Sequence, residues 1–340
     1  MKKWISLLLC IAFLLCFAGC GAEDAPAVET TQSAEDGIRE QLCPICNKTV
    51  KWMGLTQAYV DTINVKNEQG ETIDSAIMSG DVYETRHYYL AEDLVYRDSP
   101  IMGFFRGPGK GLTSCLDLNG HNITTTATTS IFGNSGVLNV IGDGIVTGYS
   151  PNNHEGAAVR CGNRNANNGL NLYGGTYKKT ENTDKNNPVV AFDGAGRCVS
   201  VYDGVVIDAG DGVAVFADSS TSREKEGYLL LQGCTVKGDV KFAPYDGYAT
   251  NADFINCTVE GTVIVPKGHN VTLDGKIMVK AFSLEKDVKL FLKKLAEGSA
   301  IGVDSVGVFA QVTDDSVITY FVPVDPSKKI TAKDNELSCN

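Results

Sequence analysis

The stretch "LDLNGHNI", Leu116 to Ile123, decides the fold. Alternating apolar and polar residues run into Asn119-Gly120, the strongest short-range signature of an antiparallel hairpin. A hairpin requires the next segment to turn back and pair with the first. Instead the same pattern starts again further along, which is the mark of a stacked repeat. With Leu116 as position n, apolar residues fall at n and n+2, a turn residue at n+4 and another apolar residue at n+7. The pattern recurs in "LNVIGDGI" from Leu138, "LNLYGGTY" from Leu170, "VSVYDGVV" from Val199, "LLLQGCTV" from Leu229, "ADFINCTV" from Ala252 and "VTLDGKIM" from Val271.

Positions n and n+2 share one face of a strand, because strand side chains alternate. Position n+4 holds Gly120, Gly142, Gly174, Asp203, Gly233, Asn256 and Gly275. These residue types adopt a left-handed backbone at low cost, so one corner bent the same way each time is expected. Successive segments start between 19 and 32 residues apart. Uneven spacing around a constant nucleus suits coils that stack while loops of different length bulge outward. The expected fold is therefore all-β, a single-stranded parallel β-helix with its rungs over 116–282. At a strand spacing of about 4.8 Å, seven rungs make a column roughly 30 Å long. Covers are expected at both ends, from 43–115 with its CxxC segment and from strands in 283–340.

The start of the chain is not expected to belong to the fold. Lys2-Lys3, the apolar "WISLLLCIAFLLCFA" and a small-residue close read as a signal peptide over 1–19. "FAGC" resembles a bacterial lipobox with Cys20 as the lipid anchor, although Phe17 stands where Leu is usual. Residues 20–42 are acidic and poor in large apolar groups, and read as a flexible tether. The chain carries a formal charge of −11, and loss of the leader removes only Lys2 and Lys3, so the exported form is more acidic still. Without a basic cluster, nucleic acid is not an expected partner. A membrane, reached through the lipid, is.

A family resemblance rests on "CPICNKTVKW", "HYYLAEDL", "CLDLNGHNIT", "GVLNVIGDGIVTGY", "LNLYGGTY" and "LAEGSAIGV…GVF". Together these are similar to a group of β-helix surface lipoproteins from Gram-positive anaerobes. The resemblance spans residues 43–340 and implies a pectate-lyase-like, right-handed parallel β-helix and export. It implies no particular activity.

Eleven cysteines are present; two lie in the leader and Cys20 is the lipid candidate. Cys43 and Cys46 have the spacing of half a zinc site, with His87, Cys115 and His121 as candidate partners near the same end. A structural disulfide or idle pair, a metal site and a redox pair all stay open for them. Cys234 and Cys257 share phase n+5 in adjacent rungs, within reach of a disulfide or of simple stacking.

On the outward positions, Tyr173 and Tyr202 fall in successive rungs beside Asn139, Asn171 and Ser200. Such a surface suits sugar stacking with amide hydrogen bonds, and Arg160 in a neighbouring coil is counted with it. Four polar loops, "SPNNHEG", "GNRNANNG", "KKTENTDKNNP" and "ADSSTSREKEG", offer walls for a groove. The leading expectation is a monomeric, lipid-anchored β-helix that binds a polysaccharide or host glycan without catalysis. A second is a polysaccharide lyase or glycoside hydrolase, with Arg160, Lys178, Arg197, Asp184 and Asp193 as raw materials and calcium as cofactor of the lyase. A structural stalk protein of the envelope is the third.

Overall fold

In the computed structural model the protein is described at residues 37–58, 87–96, 113–125, 132–133, 137–148, 157, 159–161, 168–181, 183–193, 197–218, 227–245 and 247–340. The leader, Cys20 and most of the tether lie outside these residues. So do "SPNNHEG" and most of "GNRNANNG" and "ADSSTSREKEG".

Two long sheets carry the fold, one of 14 strands and one of 13. Each coil contributes a strand to the first sheet, turns a corner and contributes a strand to the second. Neighbouring coils pair in parallel throughout, as a β-helix requires. Leu138, Leu170, Val199, Leu229, Ala252 and Val271 stand directly opposite one another in consecutive strands. Two residues on, Val140, Leu172, Val201, Leu231, Phe254 and Leu273 do the same. All twelve are buried. Apart from Ala252, each such side chain contributes about 1.5–3 kcal/mol by leaving water.

"LDLNGHNI" is a corner and not a hairpin, but its phase differs from the other six. Leu116 stands opposite Val140, and Ser114 opposite Leu138, so the first unit begins two residues earlier than expected. Asn119 and Gly120 both adopt positive φ, 52° and 80°, the backbone that would close a tight hairpin. The chain nevertheless runs on, and Ile123 pairs in parallel with Val146.

The corners themselves come in two lengths. Gly142, Gly233, Asn256 and Gly275 hold the left-handed turn as expected, whereas in Gly174-Gly175 and Asp203-Gly204 the second residue takes it. Gly174 is glycine for another reason: a Cβ there would run into the backbone of Gly142 in the rung before. Three corners are one residue longer, so the inward residues are Val146, Ile207 and Val279, not Ile145, Val206 and Met278. Ile145 is accordingly exposed.

The solenoid is longer than 116–282. "HYYLAEDL" supplies strands to both parallel ladders, through Tyr88 opposite Leu116 and Leu94 opposite Ile123. At the other end parallel pairing reaches Val303 opposite Pro323. Antiparallel strands lie at both edges of the first sheet: Ile38–Cys43 on Lys48–Leu55, and Ile330–Lys333 on Glu336–Cys339.

The second sheet forks. Val206–Asp218 pairs through Val206–Asp208 with Thr176–Lys178, and through Val215–Asp218 with Val190–Asp193. Val190–Asp193 pairs in turn with Val159–Cys161, giving a third ladder whose inner column is Val159, Val190, Val215, Val240, Val263, Phe282 and Val303. At the bend between ladders Gly212, Gly238 and Gly261 stack. A Cβ on Gly238 would strike the Gly212 carbonyl, and one on Gly261 the Gly238 carbonyl.

Cys234 and Cys257 are buried free thiols that stack as small apolar groups. They continue a buried corner column with Val205 before them and Ile277 after, linked by the hydrogen bonds Thr235 N–H to Val205 O, Thr258 N–H to Cys234 O and Met278 N–H to Cys257 O. Burial pushes the Cys234 thiol up to about 12.

Gly261→Ala is expected to lose about 1–3 kcal/mol, because backbone and not a flexible side chain blocks the added methyl. Gly169→Ala, whose Cβ would meet only Val137 methyls at 3.6 Å, should stay within about 0.5 kcal/mol of the parent. Urea unfolding midpoints of the two variants check this.

Candidate functional site

The described residues most unlike solenoid packing lie on the outer face of the first sheet, at its N-terminal edge. The hairpin Ile38–Cys43 and Lys48–Leu55 begins there, and its second strand joins the parallel ladder through Met53 opposite Tyr88. An outward column then carries His87, Cys115, Asn139, Asn171 and Ser200, each opposite the next. Cys43 stands at the far end of the edge strand, yet its Sγ lies 3.7 Å from Sγ of Cys115, three strands into the sheet. The hairpin therefore curls over the outer face.

Apolar side chains hold it there. Cys43, Trp52, Tyr89, Cys115 and Ile141 form a second core, separate from the solenoid interior, with Ile45, Val50 and Tyr173 packed against it. Trp52 donates its indole N–H to the Gln41 carbonyl at 3.2 Å, and its ring meets the His87 ring edge-on at 5.0 Å. Arg39 lies over the Tyr89 ring at 3.7 Å and donates to Asp117 at 3.2 Å and to Asn119 at 3.3 Å. The Arg39 and Asp117 side chains are only 14% and 12% exposed.

Cys43, Cys46 and His87 place Sγ, Sγ and a ring nitrogen within 4.8 Å of one another, close enough to hold one metal ion. Sγ of Cys46 is 3.6 Å from Nε2 of His87. The CxxC turn is closed by Asn47, at φ 53°, whose N–H donates to the Cys43 carbonyl at 2.8 Å. Asn139 Nδ2 lies 3.7 Å from the Cys115 sulfur. Burial raises the Cys46 thiol and, with the neighbouring Cys43, pushes Cys115 up to about 12; burial also lowers His87. His121 lies elsewhere, with Nδ1 3.3 Å from Asp93.

The expected ligand surface is partly covered. Tyr173 and Tyr202 stack face to face, with ring centroids 4.3 Å apart and planes 4° apart. Both are half-buried, and Tyr173 also packs on the hairpin cluster. Burial and the Tyr202 hydroxyl push the Tyr173 phenol up to about 12. Asn171 donates to Asn139 at 2.8 Å, but Asn139 is 3% exposed, so the hairpin removes it from the open surface. The parity argument points it outward correctly; the covering hairpin is a long-range contact that parity cannot report. Tyr228, in the next strand, donates to Asp253 at 2.8 Å and adds a third phenol to this face. It stands one residue before Leu229, an outward position legible in the repeat.

Arg160 is not with the tyrosines. It belongs to the third ladder, opposite Gly133 and Ala191. Lys178 lies in the second sheet opposite Thr147 and Asp208. In the loop that follows, the Lys179 ammonium donates to the carbonyls of Asp184, Lys185 and Asn187 at 3.0, 3.0 and 2.9 Å. The Asp184 carboxylate caps the Asn186 N–H at 2.8 Å, so both charges organise the loop.

No protein-family model matches the chain, and neither the curated proteins nor the solved structures contain a match.

Burial raises the Asp117 carboxyl above its ordinary range, against the opposing pull of the Asn119 N–H and Arg39. The folded state then holds the proton more tightly than the unfolded chain, and stability falls as pH rises through the raised folded value. Arg39→Met removes the opposing cation, so the loss should be about 3 kcal/mol at pH 7.5. It should shrink below the unfolded pKa of about 4, where Asp117 is protonated in both states. Urea midpoints of parent and variant at pH 7.5 and at low pH measure the difference.

Proposed function

We propose that the chain is an exported, lipid-anchored surface protein whose β-helix binds a polysaccharide or host glycan without cleaving it. The carrying observation is the tyrosine stack, Tyr173 on Tyr202; Tyr228, opposite Cys198 on the same face of the next strand, adds a phenol with its hydroxyl on Asp253. Phenol rings flanked by amide and carboxylate groups match a sugar's alternation of C–H faces and hydroxyls. The two rings stand one rung, about 4.8 Å, apart, so the stack presents one continuous aromatic edge along the axis. The basic, apolar leader and Cys20 supply the export and anchoring part of the reading. Zinc at Cys43 and Cys46 belongs to the same proposal, in a structural role.

A second reading, lyase or hydrolase chemistry, is favoured by one observation on the third ladder. Asp193 stands opposite Asp218 in register, and Arg160 stands two residues earlier along the same ladder, opposite Ala191. An arginine and two acids on one ladder are the raw materials of a base and a cation site, with calcium the cofactor such a lyase would take.

Affinity electrophoresis of the full chain in gels holding a panel of polysaccharides tests both. Binding predicts retardation by at least one polymer, weakened about tenfold by Tyr202→Ala and unchanged by Arg160→Ala, with no new unsaturated or reducing ends. Retardation by none of the polymers overturns the binding reading. Cleavage in the presence of calcium that Arg160→Ala abolishes replaces it with the second.

A further inference from the structure

We propose that Cys43, Cys46, His87 and Cys115 together bind one zinc ion, a four-ligand clasp that pins the N-terminal hairpin to the outer face of the first sheet. The inference extends the metal part of the proposal above and does not depend on its glycan part.

The distances carry it. With Zn–S near 2.3 Å and Zn–N near 2.0–2.1 Å, two sulfurs of a tetrahedral site lie about 3.8 Å apart, and a sulfur and a nitrogen about 3.5 Å. Sγ of Cys43 and Sγ of Cys115 are 3.7 Å apart, and Sγ of Cys46 and Nε2 of His87 are 3.6 Å apart. These match two opposite edges of such a tetrahedron, while Cys115 lies outside the 4.8 Å group of the other three and would have to be drawn toward Cys46 and His87 by the ion. The cluster Cys43, Cys46 and His87 already spans no more than 4.8 Å between ligand atoms. Cys115, 3.7 Å from Cys43, would supply the fourth ligand from the strand next to that of His87, where the two residues are directly opposite. One half of the site comes from a tight turn and the other from two rungs of the solenoid.

The surroundings suit a closed structural centre. Cys43 and Cys115 are buried, so thiolates there need a cation beside them. The amide of Asn139, 3.7 Å from the Cys115 sulfur, offers the N–H that a metal-bound thiolate accepts from its outer shell. Binding displaces the protons of three thiols and uses the lone pair of a neutral imidazole. The centre then carries one net negative charge. Three thiolates and one imidazole on a redox-inert ion leave no open position, which makes the site structural. The sequence separation is long, 43 to 115, so the ion closes a loop otherwise held by the hairpin's apolar cluster, its strand pairing at Met53–Leu55 and the Arg39–Asp117 pair.

The test is zinc content and affinity of the full chain, purified with reductant and without chelator, and read by plasma emission spectrometry and competition with a chromogenic chelator. One zinc per chain is expected. Cobalt substitution should give the intense visible bands of a tetrahedral site and thiolate charge transfer. Cys115→Ser and His87→Ala should each weaken zinc at least tenfold and lower the cobalt bands, while Cys198→Ser leaves both unchanged. Removing zinc should expose the Lys48–Leu55 strand to amide exchange and leave exchange at Leu229 and Leu231 as it was. No zinc above background, or a Cys43–Cys115 or Cys43–Cys46 disulfide in the unreduced peptide map of a second preparation made without reductant, overturns the metal reading. Full zinc affinity in Cys115→Ser overturns the four-ligand clasp and leaves a three-ligand site in its place. Retardation in polysaccharide gels is scored separately, so failure of the glycan reading and failure of the clasp are distinguishable.

Discussion

Parallel backbone hydrogen bonds at constant register hold each coil to the next, and that register turns a position in the repeat into a physical column of side chains. Leu170 touches Leu138 and Val199 because their strands cannot slip by one residue without turning every inner side chain out to water. The same constraint acts outward. His87, Cys115, Asn139 and Asn171 are neighbours only because the ladder stacks them, although 84 positions separate the first from the last.

Corners are where the constraint is strictest. The Asp203 side chain occupies the space a Cβ on Gly233 would need, and the Asn256 side chain does the same over Gly275. Asn256 also accepts the Lys276 N–H at 2.8 Å, a bond to the next rung. Glycine is thus required by the side chain stacked on it as much as by its own dihedral angles. The bend between the second and third ladders repeats this logic with backbone alone at Gly212, Gly238 and Gly261.

Cysteine plays two roles in this chain, and the side of the sheet decides which. Cys234 and Cys257 sit inward, in line with Val205 and Ile277, and fill space. Cys115 points outward, under the hairpin, beside a second sulfur and within one strand of an imidazole. The hairpin also explains why an outward polar position is dry here. Asn139, 3% exposed, faces Cys115 under the curled hairpin.

The eight-residue pattern by itself determined that coils stack in parallel, that the n and n+2 side chains fill the interior and that Tyr173 and Tyr202 face outward one above the other, because period two and a recurring corner residue are local properties. Tertiary structure decided the rest. The two-residue shift of Leu116, the one-residue slip at Ile145, Val206 and Met278, and the extra rungs around Tyr88 and Val303 depend on how strands pair across distance. Among the candidate partners of Cys43 and Cys46, the sequence left His87, Cys115 and His121 equal. Strand pairing puts His87 and Cys115 side by side, and His121 goes to Asp93. Which residues meet under the curled hairpin is a matter of long-range packing, and no local pattern of apolar and polar residues encodes it.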